Sequence, residues 1–233
     1  MPPDPCIFVD RATAGIALAQ SLQQRHLHGS VIVLGLPRGG LPVAHEVARA
    51  LSAPLDVLVV RKVGMPGQPE LAIGAIAPGN IVVHEPGIAQ ELPQLAGVFE
   101  RLVRVQRREL KRRERLYRGG LAPLDLKGRT AVLVDDGLAT GCTMLAAVRA
   151  ARSARAAAIV VAAPVASREA VEFIRREADS IIILQIPESL SAIGEWYEHF
   201  EQIDDSEVCR LLDLNRRARK GSPASNVPDR GPS

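Results

Sequence analysis

Residues 132–143, VLVDDGLATGCT, lead three aliphatic side chains into two adjacent carboxylates, Asp135 and Asp136, and then into a turn of Gly137, Thr140, Gly141, Cys142 and Thr143. In an open α/β sheet, ligands bind where strands end and loops begin. A turn of this kind at a helix start converges backbone N–H groups on an anion, and the helix dipole adds positive potential. Gly141 allows close backbone approach, and the hydroxyls of Thr140 and Thr143 add donors. Asp135 and Asp136 would repel an anion in their own position but can accept bonds from the two hydroxyls of a neighbouring diol. A phosphate beside a diol describes a ribose 5-phosphate. The plainer reading, a strand end with solvated acids and a helix cap, accounts for any one of these pairs but not for all twelve residues together.

A second anion-binding candidate is LGLPRGGLPVA, residues 34–44, which follows a strand pattern and precedes a helical one. Arg38 offers a planar fork matched to phosphate oxygens, and Gly39 and Gly40 permit unusual backbone angles. The alternative is a simple glycine turn with an exposed arginine. Arg61 and Lys62 end the next strand at the same edge, and because adjacent strand residues point oppositely, at most one of the two is expected to face the ligand, a solvated strand-end pair being the alternative. No GxGxxG opens a βα turn and no GxxxxGK[ST] occurs. The five histidines lack metal-ligand spacing. Cys142 sits where a helix N-terminus can lower a thiol pKa, although a small residue that simply fits is the commoner case.

The elements that must position these residues alternate. Short β-branched runs at 31–34, 57–60, 72–76, 81–83, 131–134, 159–161 and 181–184 are separated by helical patterns at 11–25, 41–52, 94–118, 142–154, 167–177 and 204–215. That alternation points to βαβ crossovers and a parallel sheet. Residues 62–93 break the rhythm with five prolines and five glycines around two short strands, an antiparallel or edge excursion carrying a flexible lid. From residue 216 onward almost nothing is apolar, so 216–233 reads as a disordered tail on a single domain spanning 1–215.

Composition limits the classes available. Hydrophobic residues are 47% of the 233 and aromatics only 3%, so the core must be aliphatic, which suits a buried parallel sheet. The net charge of +3 is uneven: residues 101–118 hold nine Arg or Lys against two Glu, a local +7, which leaves −4 on the rest. Three cysteines without CxxC spacing suit a reducing cytoplasm. The N-terminal MPPDP is unlike a signal peptide, and the longest apolar run, Ala156–Ala166, is too short to span a membrane.

Asp135–Thr143 resembles the phosphoribosyl pyrophosphate (PRPP) signature of type I phosphoribosyltransferases, and the order of elements over roughly 5–210 is similar to theirs. The stretch VRKVGMPGQPELAIGAI is similar to a subgroup whose acceptor is unassigned. The resemblance implies a parallel sheet flanked by helices, a flexible lid insertion at about 62–93, a basic helix at about 94–118 and a small C-terminal hood at about 186–215. It also implies transfer of ribose 5-phosphate from PRPP to a nitrogenous base, release of pyrophosphate, and a place in nucleotide salvage. PRPP would lie on Pro37, Arg38, Gly39, Gly40, Arg61, Lys62, Asp135, Asp136, Gly137, Ala139, Thr140, Gly141, Cys142 and Thr143. Asp135, Asp136, Arg38 and Lys62 would carry the catalysis. A cis peptide is expected near Pro37–Arg38.

Magnesium would be held mostly through PRPP and water, with Asp135 and Asp136 the protein groups nearest to it. Enzymes of this family that act on 6-oxopurines place an aspartate before Thr-Gly; Ala139 stands there, which resembles the adenine-type variant. A base, if needed, would come from Glu70 or Glu85 on the lid. Trp196 and Tyr197 could stack a planar acceptor or serve as a hood core or dimer contact. The partners expected are PRPP and a base, with a homodimer and no membrane. The alternative is a non-catalytic PRPP- or nucleotide-sensing regulator whose basic segment binds nucleic acid. Against it, Glu109 and Glu114 offer that segment i,i+3 and i,i+4 partners, as on a solvated, salt-bridged helix.

Overall fold

A computed structural model describes residues 8–65, 67–85, 92–119, 121 and 124–221, with the side chains of 69–71, 92–96 and 220–221 left aside. Chain order is α1 (Arg11–Gln23), β1 (Ser30–Gly35), α2 (Gly40–Ala50), β2 (Leu55–Val57), β3 (Arg61–Met65), β4 (Gln68–Ala77), β5 (Ile81–His84) and α3 (Leu92–Arg118), then β6 (Arg129–Val134), α4 (Cys142–Ser153), β7 (Ala158–Val165), α5 (Arg168–Ile174), β8 (Ser180–Gln185), a 3-10 turn at Ile193–Trp196 and α6 (Asp205–Gly221).

Five strands form one parallel sheet in the order β2-β1-β6-β7-β8, each joined to a neighbour in register, as in Gly35 beside Val134. The runs Ala131–Val134 and Ile159–Ala163 are buried on both faces. Val33, Val132, Val134, Val160 and Ala162 pack with α1, α2 and α6, and Leu34, Ala131, Leu133, Ile159 and Val161 pack with α4 and α5. Burial on both faces is why these strands read as continuous aliphatic runs rather than alternating ones.

Within the excursion expected over 62–93, β3, β4 and β5 form a separate antiparallel sheet with irregular register at Val63–Met65, and 66 and 86–91 of the expected lid lie outside the described residues. This sheet packs against α3 and α4. Its link to the main sheet differs from the expected strand at 57–60: β2 stops at Val57 and the chain crosses over, so Arg61 and Lys62 open β3 instead of ending a strand. At the other end α6 runs on to Gly221, taking in the first residues assigned to a tail; 222–233 lie outside the described residues. Leu211 and Leu212 bury against the core, and Asn215 accepts the Leu55 amide at 3.0 Å, which is what holds this helix past its apolar stretch. Among the described residues no helix is long and apolar enough to cross a membrane.

Candidate functional site

From β1 the chain leaves through α2 to one side of the sheet, and from β6 it leaves through α4 to the other. The loops after these two adjacent parallel strands therefore diverge, the topological switch point at which open α/β sheets bind ligands. The Leu36 amide donates to the Val134 carbonyl at 2.9 Å, locking the two loops together. The Pro37–Arg38 peptide is cis. Gly39 and Gly40 are needed for space and not, as expected, for unusual backbone angles: Gly39 has φ −59 and ψ −34, in the ordinary helical region. A Cβ on Gly39 would collide with the Asp136 carboxylate, and one on Gly40 would lie 2.7 Å from the Val134 carbonyl oxygen. Gly141 does need left-handed backbone, φ 80, immediately before α4 begins.

The two acids are only partly exposed, which corrects the reading of a strand end with solvated acids. Asp136 accepts from Arg11 Nε at 2.8 Å, and both side chains are mostly buried. Arg11 donates its other arm to the Glu201 carbonyl at 2.9 Å and lies over the Phe200 ring, 3.7 Å from its centroid. Asp135 Oδ1 accepts the Asp136 amide at 2.9 Å. Burial, and next the adjacent Asp136 charge, push the Asp135 carboxyl well above the usual carboxylate range.

Tyr197 is buried, donates its hydroxyl to the Asp136 carbonyl at 2.6 Å and packs between Phe8 and Phe200. Trp196 packs on the same cluster. Neither lines the ligand cavity, so both are hood core around Arg11, and the hood's contribution to the cavity is Ile193 and Phe200. Arg11 itself escaped the sequence reading because its partner lies 125 positions away.

The cavity at the switch point holds about 1310 Å³. The loop after β6 contributes Asp135, Asp136, Gly137, Ala139, Thr140, Gly141 and Thr143 to its walls, and the loop after β1 contributes Pro37 and Arg38. Gly39 and Gly40 support these walls from behind. Arg61 and Lys62 both line the cavity, against the expectation of one. Because β3 starts at these residues, the cavity wraps around its end: Arg61 reaches toward α3, bonding Gln106 at 3.1 Å, while Lys62 is the exposed neighbour. Arg113 and Gln106 of α3 also line this space, and sequence reasoning had left them on a solvated helix. The remainder of that helix does pair with itself and the body: Glu109 binds Arg112 at 2.7 Å and Arg113 at 2.8 Å, and Arg118 binds Asp56 at 3.1 Å. The two guanidiniums hold the Glu109 carboxyl down to about 2.

Cys142 does not present a reactive thiol. It is buried beneath the turn, and burial, with the Glu85 charge second, pushes its thiol up to about 12. The carboxylates fit a magnesium ion held partly through substrate, since Asp135 supplies a hard oxygen donor at a cavity wall and lacks a basic side-chain partner among the described residues.

A second cavity of about 660 Å³ shares Glu85, Ala139 and Thr140 with the first and continues past Ser167, Phe173 and Leu190. Glu85 stands at the junction. Burial pushes its carboxyl up, opposed by the nearby Thr140 and Cys142 side chains and by the Lys62 charge. Its Oε2 is buried without a partner among the described residues. Glu70, the other candidate base, has its side chain outside the described residues.

Residues 10–189 match the family model for the phosphoribosyl transferase domain. Two curated relatives from Mycobacterium tuberculosis, "Putative phosphoribosyl transferase Rv0571c" (strain ATCC 25618 / H37Rv) and "Putative phosphoribosyl transferase MT0597" (strain CDC 1551 / Oshkosh), are each 45% identical over 212 residues. The match takes in 91% of this chain and 47% of each relative, so the chain spans about half the length of the curated relatives it matches. The crystal structure of TT1426 from Thermus thermophilus is similar at 43% identity with a TM-score of 0.73, covering 88% of this chain and 97% of that one.

Proposed function

The chain belongs to the phosphoribosyl transferase family, and from that premise we propose that it is a magnesium-dependent enzyme that transfers ribose 5-phosphate from PRPP to a nitrogenous acceptor and releases pyrophosphate. The observation that carries this reading is the meeting of two loops at one cavity: Asp135 and Asp136 with Thr140, Gly141 and Thr143 from one, and Arg38 from the other. The turn's amides take the 5-phosphate. The two carboxylates accept the ribose hydroxyls, with Asp136 held in place by Arg11. Arg38, Arg61 and Lys62 stabilise the negative charge that grows on the departing pyrophosphate, and this is where catalytic gain is largest. Magnesium would be held beside Asp135 and Asp136 and would supply positive charge to offset the negative charge growing on the leaving pyrophosphate. The hood, through Ile193 and Phe200, excludes water that would otherwise capture the oxocarbenium-like centre.

Arg38→Ala should therefore reduce turnover more than ribose-phosphate binding. Equal loss of affinity for PRPP and for a ribonucleoside monophosphate would take Arg38 off the leaving group.

The acceptor reaches the anomeric carbon from the second cavity, past Ala139 and Glu85. A carboxylate beside a purine accepts the ring N–H as charge develops; the Ala139 methyl cannot. Hypoxanthine and guanine are expected to react at least about tenfold worse than the best acceptor, roughly 1.4 kcal/mol in barrier. The competing expectation is that Glu85 takes the proton and erases the difference. Pyrophosphate release from PRPP and magnesium across purines, pyrimidines, orotate and small amines, repeated with Glu85→Gln, decides between them. Guanine or hypoxanthine as the best acceptor would overturn the Ala139 reading.

A further inference from the structure

Leu102, Gln106, Glu109 and Arg113 fall at i, i+4, i+7 and i+11 of α3, one helical face, and Leu102, Gln106 and Arg113 line the main cavity. The Arg113 side chain is only 17% exposed. Its Nε is occupied by Glu109 at 2.8 Å, and its two terminal nitrogens make no hydrogen bond among the described residues. Half-buried Arg61 stands beside it, with a neutral amide, Gln106, for its partner and no carboxylate within ion-pair reach among the described residues. Burial, and next the Arg113 charge, lower the Arg61 guanidinium. Arg38 faces the same space.

Three guanidiniums thus line one cavity, and among the described residues the only carboxylate ion-paired to any of them is Glu109, which is shared with Arg112. Partly buried charge of one sign is costly unless a counter-charge completes it. Planar forks with free terminal donors match phosphate oxygens and not a point cation. Asp135 and Asp136 line the same cavity, but neither bonds any of these three guanidiniums; Asp136 is paired with Arg11 instead.

We propose that Arg113 is a binding residue for the leaving pyrophosphate, making α3 the outer wall of that subsite together with Arg38 and Arg61. The inference rests on the phosphoribosyl transfer reading above. It gives part of the basic stretch 101–118 a purpose inside the protein: one of its guanidiniums is turned inward to the substrate, while its exposed neighbour Arg112 only braces Glu109.

Calorimetric titration of inorganic pyrophosphate and, separately, of ribose 5-phosphate in magnesium buffer tests this. Arg113→Gln should weaken pyrophosphate binding at least tenfold and leave ribose 5-phosphate within about twofold. Arg112→Gln, which removes an exposed charge from the same helix, should change neither. Should Arg113→Gln fail to fold, Arg113→Lys keeps the charge and loses the fork, and at least a threefold loss confined to pyrophosphate is expected. Pyrophosphate affinity within twofold of the parent in these variants, while the parent binds PRPP, would remove Arg113 from the subsite and leave the transferase reading standing. Equal losses for both ligands would also overturn the inference. A parent protein that binds neither pyrophosphate nor PRPP would overturn the transferase reading and this inference together.

Discussion

Asp135→Asn should weaken PRPP binding by about ten- to a hundredfold while leaving the empty protein at least as stable as the parent. The affinity loss follows from replacing a charge-assisted acceptor of a ribose hydroxyl by a neutral amide, a hydrogen bond of about 1.5–3 kcal/mol. Adding Asp136→Asn should deepen it. Stability moves the other way because the Asp135 carboxyl is raised by burial and by Asp136 beside it. A group with a raised folded pKa contributes stability that is fully present below its unfolded pKa and is lost as pH rises through the folded value. At neutral pH, above the unfolded pKa, that contribution is diminished or lost, and asparagine, which carries no charge to bury, relieves the site. Calorimetry with PRPP and urea unfolding at pH 7 check the two halves. Unchanged PRPP affinity would rule out the ribose role, and a clear loss of stability would contradict the electrostatic account.

Arg11→Ala should be among the most damaging single substitutions outside the aliphatic core, at about 3–5 kcal/mol, because it leaves the Asp136 carboxylate mostly buried and unpaired. It also removes the guanidinium from the Phe200 and Tyr197 rings and the donor to the Glu201 carbonyl, so the hood loosens together with the acid. For a chain of this size, that corresponds to a fall in Tm on the order of 10 °C. Arg11→Lys should rescue only part of the loss, since an ammonium cannot bond Asp136 and Glu201 in one plane while covering an aromatic face. Thermal melts of the three proteins measure this. A change under about 1 kcal/mol for Arg11→Ala would show that the pair is a surface ornament.

The parallel sheet and the two loops that meet at the cavity were legible because their signals are local. An aliphatic run ending in Asp135-Asp136 and a Thr-Gly-Cys-Thr turn occupies twelve consecutive residues, and the sheet's burial on both faces leaves uninterrupted Val, Ile and Ala. What lay beyond the sequence is pairing across distance. Nothing near Arg11 marks it as the partner of Asp136. The aromatics of 196–200 announced a cluster but not that Tyr197 would turn inward to the Asp136 carbonyl. Alternation along a strand misplaced Arg61 and Lys62 because the rule assumes a strand already under way, and β3 begins at Arg61 after the chain has changed sheets. Gly39 illustrates the same limit: its backbone is ordinary, and its need for hydrogen in place of a methyl comes from a carboxylate 97 positions along the chain.

The central claim, transfer of ribose 5-phosphate from PRPP, is tested most directly by measuring two products from one reaction mixture. Protein, PRPP, magnesium and the acceptor selected from the base panel are incubated, and pyrophosphate and N-ribosylated acceptor 5-monophosphate are quantified together. The account predicts equal molar yields of the two, both abolished in the Asp135→Asn, Asp136→Asn double variant. Pyrophosphate without ribosylated acceptor, or neither product from any acceptor by a protein that still binds PRPP, would contradict it.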